Sequence, residues 1–153
     1  MLPDDVDFMI YAGIGNLPHF SPEQDGDHTP APVIHFRDQL KNADGIIICT
    51  PEYAFGVPGS LKNSLDWTVS SGELVNKPLA LITASLSGEK AHASLLDTLT
   101  ALSVDISTDR SLLISFIRSK MDASGQLNDA GILLSLQNLL ASLLTTCRLN
   151  RGQ

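Results

Sequence analysis

The stretch from Asp44 to Trp67, DGIIICTPEYAFGVPGSLKNSLDW, limits the possible folds more than any other part of the chain. It begins with Gly45–Thr50, a short unbroken run of apolar and β-branched residues. Such a run suits a strand covered on both faces, as in a parallel sheet packed between helices. Pro51 ends the run, and Gly56, Pro58 and Gly59 mark a loop. A helix then opens at Pro58 or Gly59, where a missing N–H costs nothing. Leu61, Leu65 and Val69 fall on one face of it, at i, i+4 and i+8. Strand, ordered loop and helix in that order put the loop at the carboxyl end of a strand. Open α/β sheets bind their ligands there.

The flanking segments repeat the alternation. Val6–Tyr11 (VDFMIY) reads as a short strand. The connection from Ala12 to Pro32 carries Pro18, Pro22, Pro30 and Pro32 with Gly13, Gly15 and Gly26, so turns are expected and little regular structure. A helix starts near Pro32, with Val33, Phe36, Leu40 and Ala43 on one face. Beyond the central stretch, Ser70–Lys77 is a polar connection. Leu79–Ala84 has the length and composition of a second buried strand, and Ser85–Gly88 is the loop after it. A further helix aligns His92, Leu95, Leu96, Leu99 and Leu102. Val104–Ile106 and Leu112–Ile117 make the last extended region. The final helix starts near Asn128 or Asp129, both good first residues. It would bury Ile132, Leu136, Leu139, Leu140 and Leu143, and Arg148 near its end suits the helix dipole. Strands alternating with helices define a parallel α/β sandwich.

Composition narrows the function. A length of 153 residues makes one domain with a real core, and a mean hydropathy near zero makes it soluble and globular. A net charge of −7 argues against nucleic acid as a partner. Cys49 and Cys147 form no CxxC pair, and Cys49 reads as a small core residue at the end of its strand. His19, His28, His35 and His92 show no ligand spacing, so no metal site is expected. Met1–Asp5 lacks the regions of a signal peptide, and no apolar run approaches a membrane span; a cytoplasmic protein is expected. GxSxG, Walker A and GxGxxG motifs do not occur.

Thr50-Pro51-Glu52-Tyr53 followed by Pro58-Gly59-Ser60-Leu61-Lys62-Asn63-Ser64-Leu65-Asp66-Trp67 closely resembles the hallmark of the NAD(P)H-dependent FMN reductases. That family includes flavin, quinone, azo-dye and chromate reductases. The resemblance implies a flavodoxin-like α/β/α sandwich with FMN as cofactor and NADPH or NADH as reductant. It also implies a small electron acceptor (a flavin, quinone, azo compound or metal oxyanion) and a homodimer or homotetramer. Two positions depart from the family pattern: Ala54 stands where Asn is usual, and Gly56 where Ser is usual.

By this resemblance Pro51, Glu52, Tyr53, Ala54 and Phe55 run along the isoalloxazine, offering backbone N–H groups and two aromatic rings. The alternative for Tyr53 and Phe55 is plain core packing. Ser85, Leu86, Ser87 and Gly88 approach the pyrimidine side; helix capping is the alternative for the two serines. Structural roles are implied for the Glu52 and Asp66 carboxylates, with Lys62 placed to pair with Asp66 on the helix surface. No acid or base residue is required, because the cofactor carries the chemistry and the protein positions it. Dimerisation through the helix after the PEY loop would use Leu61 and Trp67 as apolar anchors.

Members of the family begin with a strand, a phosphate-binding loop and a helix, and then the strand that here is Val6–Tyr11. The expectation is a single domain over 1–153 that is incomplete at its front by a βα unit of on the order of 30 residues. Val6–Tyr11 and Gly45–Thr50 would then stand two strand spacings apart, roughly 9.6 Å, too far to pair. A non-catalytic remnant with weak or no FMN binding is the alternative function. An electron carrier of flavodoxin type fits the signature less well.

Overall fold

The computed structural model describes residues 2–152. Its core is a parallel sheet of three strands, β1 (Ile46–Thr50), β2 (Leu79–Ser85) and β3 (Ser111–Ser115), in the order β1-β2-β3. Four helices accompany it: α1 (Ala31–Asn42), α2 (Gly59–Asp66), α3 (Glu89–Ala101) and α4 (Ala130–Arg151). The register aligns Ile46 with Leu79 and Thr50 with Thr83, and Leu81 with Ser111.

Side chains alternate across the sheet, and each set meets its own layer of helices. Leu79 and Leu81 face Leu65 of α2 and Leu95 and Leu99 of α3, with Ile46 and Ile48 beside them. Ala80 faces the other way, against Leu139 and Leu143 of α4, with Ile47, Ile82 and Leu112 beside them. A third cluster, Leu17, Val33, Phe36 and Trp67, binds α1 and the end of α2 to the long N-terminal connection. The result is the α/β/α sandwich of flavodoxin-like proteins.

Among the described residues β2 pairs on both sides and has Leu79, Ala80, Leu81 and Thr83 buried, whereas β1 pairs with β2 alone. Val6–Tyr11 is not a strand, which corrects the sequence reading. An extended segment holds only against a ladder partner, and among the described residues β1 has none on that side. Phe8, Met9 and Ile10 are consequently exposed, while Tyr11 packs on the rings of His35 and Phe36. Cys49 is exposed for the same reason, and is not the core residue its apolar neighbours suggest.

α2 stops at Asp66, so Val69 lies beyond it in turns and is exposed, not part of its apolar face. Asp129 caps α4 by accepting the Ile132 N–H at 3.1 Å. Leu139 and Leu143 are the buried residues of that helix; Ile132, Leu136 and Leu140 are only half-buried, against expectation. α4 is also long and apolar enough to cross a membrane by length and composition, which the sequence reading overlooked. Here it lies flat on the sheet, with Ser135, Gln137 and Asn138 on its exposed side.

Candidate functional site at the carboxyl ends of the strands

Half of the Thr50–Trp67 signature builds scaffold. The Asn63 side chain accepts the Phe20 N–H at 2.8 Å and donates to the Pro18 carbonyl at 3.0 Å. The Trp67 indole N–H reaches the same carbonyl at 2.8 Å. Trp67 is fully buried, with Phe20 edge-on at 5.0 Å between ring centres and the Arg37 guanidinium over its ring at 5.9 Å. A buried ring cannot anchor an interface with a second copy, so that expectation is corrected for Trp67, whereas Leu61 is half-buried. Lys62 and Asp66 form the expected surface pair at 2.6 Å.

The other half shapes the loop after β1. Tyr53 and Gly56 exchange backbone hydrogen bonds of 3.0 and 2.9 Å around a two-residue turn. Ala54 (φ +48°) and Phe55 (φ +59°) both occupy the left-handed region. Non-glycine residues pay for that conformation, and Asn tolerates it better than Ala. The turn therefore gives a physical reason for an Asn at position 54. Ala54→Asn should stabilise the chain by roughly 0.5–1 kcal/mol, a rise in Tm of about 1–4 °C in a thermal melt. An unchanged or lower Tm would mean that the turn carries no strain at that residue.

Glu52 joins this loop to the next one. Its carboxylate accepts N–H bonds from Gly88 (3.3 Å), Lys90 (3.0 Å) and Ala91 (3.0 Å) at the start of α3, and its own N–H donates to the Ser85 hydroxyl (3.2 Å). Neither Ser85 nor Ser87 caps α3 by its side chain. Ser85 receives Glu52, and the Ser87 carbonyl accepts the Ser115 hydroxyl at 2.8 Å. Gly88, at φ +90°, packs so closely that a Cβ there would meet Leu113 at 2.8 Å. The Ala91 N–H above all, then those of Gly88 and Lys90, holds the Glu52 carboxyl below the usual glutamate range. A depressed folded-state pKa contributes stability above the unfolded-state value and loses it as pH falls through the folded-state value. Glu52→Gln should thus melt below wild type at pH 7. The gap should narrow as pH drops below about 4.3. A gap independent of pH would remove the charge from the account.

The eight residues predicted to meet a cofactor are placed together on two loops at one edge of the sheet. Pro51, Glu52, Tyr53, Ala54 and Phe55 follow β1; Ser85 ends β2, and Ser87 and Gly88 follow it. Tyr53 and Phe55 are exposed, not core. The N–H groups of Ala54 and Phe55 donate to no protein group among the described residues. An exposed turn with two free donors and two aromatic rings fits the ring of a flavin. The N-terminus of α3 offers the phosphate no equivalent place, because the Glu52 carboxylate already occupies it.

Two side chains at this edge escaped the sequence reading. Phe116 was read inside the last extended region, but β3 ends at Ser115 and Phe116 turns outward at φ +54°. Lys90 stands with its ammonium 4.3 Å from the centre of the Phe55 ring. His92 lies behind the edge, its two ring nitrogens each 2.9 Å from a hydroxyl, Thr83 on one side and Ser111 on the other. Burial pushes its pKa below the ordinary histidine value.

An open parallel sheet with helices on both faces and ligand-shaped loops at the strand ends defines a flavodoxin-like cofactor-binding protein. The family model described as NADPH-dependent FMN reductase matches residues 2–115, and the chain belongs to that family. It is similar to the NADH:(hydroxy)cinnamate reductase subunit CrdA of Vibrio ruber, 33% identical over 132 residues, 82% of this chain and 65% of that relative. It is also similar to the quinone reductase of Escherichia coli K12, 29% identical over 147 residues, 92% of this chain and 78% of the relative. Among solved structures it resembles FerB, a flavoenzyme NAD(P)H:(acceptor) oxidoreductase from Paracoccus denitrificans. The TM-score is 0.74 and the identity 25%, over 88% of this chain and 77% of that one. The chain thus spans about two thirds of the first relative and over three quarters of the other two.

Proposed function

We propose that this chain carries the flavin-ring site of an NAD(P)H-dependent oxidoreductase, which passes electrons from NADH or NADPH through FMN to a small acceptor. The acceptor classes are a flavin, a quinone, an azo compound or a metal oxyanion. The observation that carries the reading is the Tyr53–Gly56 turn, with its outward rings and free N–H groups, tied by Glu52 to the Ser85–Gly88 loop. FMN, when bound, supplies the hydride and electron chemistry. The residues here hold and orient: Ala54 and Phe55 donate N–H bonds to ring acceptors, and Tyr53 and Phe55 exclude water from its edge. Gly88 keeps the second loop close enough to share the ring. The family and the names of the similar proteins support this reading.

A homodimer or homotetramer and a cytoplasmic setting belong to the same proposal. The exposed apolar residues Leu134 and Leu149 on α4 are compatible with assembly. The alternative is a non-catalytic relative with weak or no FMN binding.

Tyr53→Ala tests the site. Because Tyr53 is exposed, its truncation should change stability by no more than about 0.5 kcal/mol. The dissociation constant for FMN should rise about tenfold through lost aromatic contact. A flavin titration that shows wild-type affinity would sink the assignment. Flavin-dependent NAD(P)H oxidation by the wild-type chain separates the enzyme from the non-catalytic reading.

A further inference from the structure

The outer edge of β1 is an undefended strand edge. The Ile46 N–H donates to the Pro78 carbonyl at 2.9 Å, so Ile46, Ile48 and Thr50 address β2. The residues between them, Ile47 and Cys49, turn their N–H and C=O groups away from the sheet. Among the described residues nothing pairs with that side. Protein edges are ordinarily blunted by a lysine, a proline or a bulge. Ile46–Thr50 carries none of these, and Cys49 stands exposed on it.

Apolar side chains flank this edge on both faces of the sheet. Leu40 of α1 packs on the cluster that holds Ile46 and Ile48. On the opposite face, Leu133, Leu136, Leu140 and Leu144 form a second stripe along α4, beside the buried Leu139 and Leu143 and itself only half-buried. Cys147 continues that side of the helix and lies against Gly45, just before β1. Residues 6–10 pass the same edge. Asp5 is held by Arg148 of α4 at 2.9 Å, close to the Arg151–Asp44 pair that precedes β1. Tyr11 rests on Phe36 of α1, ring centres 5.3 Å apart, so the segment crosses from one helical layer to the other. No backbone N–H from Asp7 to Tyr11 donates to a protein group among the described residues, and Phe8, Met9 and Ile10 are exposed.

Area and charge name the occupant. The chain exposes 9198 Å², whereas a folded monomer of 16.4 kDa exposes roughly 7,500 Å². The excess, roughly 1,700 Å², is about twice what one partner contributes to an interface of standard size. The cations near the edge are engaged: Arg148 with Asp5, Arg151 with Asp44, and Lys77 with the carbonyls of Lys41 and Ala43. Lys41 itself shares a hollow with Asp38 and Glu73. Asp4 and Asp7 are exposed and have no paired cation among the described residues. A second copy would bring the same two acids to the same surface across a two-fold axis, like charge against like.

We propose that the outer edge of β1 is a docking site for a strand supplied by another polypeptide: an extended segment, apolar at alternate positions, with lysine or arginine at its ends. Its backbone pairs with Ile47 and Cys49, its apolar side chains cover the leucine stripe of α4, and its cations answer Asp4 and Asp7.

A synthetic peptide, KKVTVIVTVTKK, is the probe, and amide hydrogen exchange of the full chain reads its docking residue by residue. In the free chain the Ile46, Ile48 and Thr50 amides should be slow and those of Ile47 and Cys49 fast. The peptide should slow the second pair at least about tenfold, and slow alkylation of Cys49, read by mass spectrometry of its fragment, to a similar degree. The same peptide with proline at every second central position should do neither. Glutamate in place of its lysines should weaken binding at least about fivefold, and Asp7→Lys should narrow that difference. No protection of Ile47 and Cys49 at about millimolar peptide would overturn the proposal, as would equal protection by the proline or the glutamate peptide. Slow Ile47 and Cys49 amides in the free chain that quicken on dilution would overturn it too, because a second copy would then hold the edge. No flavin enters the test, so either result leaves the reductase reading standing.

Discussion

Titrated with FMN and with riboflavin, the 153-residue chain is expected to bind both weakly and to distinguish them little. The two flavins share the ring and differ by the phosphate. The structure offers the ring an exposed turn with free donors, but the N-terminus of α3, the helix tied to that turn by Glu52, is closed. Glu52 fills the first turn of α3 with its own carboxylate, and an anionic phosphate there would meet a like charge. Charge-assisted bonds to a phosphate are worth on the order of 1.5–3 kcal/mol each, so two of them missing costs about a hundredfold or more in affinity. Isothermal titration with both flavins makes the comparison. Submicromolar FMN with much weaker riboflavin would show that other residues hold the phosphate. The start of α2, at Gly59 and Ser60, would be the first place to look, because it also lies beyond the end of a strand.

The largest effect on stability is expected at Trp67. Its ring is fully buried in the cluster with Leu17, Val33 and Phe36, and its N–H holds the Pro18 carbonyl. Its own carbonyl accepts two bonds from the Arg37 guanidinium, at 2.8 and 2.5 Å. Trp67→Ala removes the ring and leaves a cavity against Phe20, at a cost of about 3–5 kcal/mol and a fall in Tm on the order of 10 °C or more. As the single tryptophan of the chain, Trp67 also reports on itself. Its emission should be that of a water-shielded indole in a dilute sample. Red-shifted emission, or a variant that melts like wild type, would place the ring at a surface and return it to the role of interface anchor.

The parts of the molecule legible in the sequence are those where local pattern and tertiary context agree. Ile46–Thr50, Leu79–Ser85 and the Asp129 cap lie where apolar runs, punctuating prolines and capping residues put them. The Thr50–Trp67 signature located the site loops, yet it could not divide its own residues into site and scaffold. Asn63 and Trp67 act on a carbonyl 45 and 49 residues away, and no spacing within the motif encodes Pro18. Val6–Tyr11 failed for a different reason: its strand pattern is genuine, but a strand is a relation between two segments. Phe116 was hidden because the left-handed backbone that turns it outward leaves no mark in an apolar run ending at Ile117. Lys90 gave no signal at all, since the Phe55 ring beneath it belongs to another loop.

The link from Glu52 to the start of α3 also limits how the site can move. Two loops that share a carboxylate and three N–H donors open together or stay shut together, so neither serves as a lid for the other. Entry of a ligand has to come from outside the pair, across the rim, and not through a hinge between them. Amide hydrogen exchange would show this directly. Lys90 and Ala91, whose N–H groups lie in the first turn of a helix and would ordinarily exchange fast, should be protected to the same degree as each other. Their exchange rates then measure how often the whole edge of the sheet comes apart.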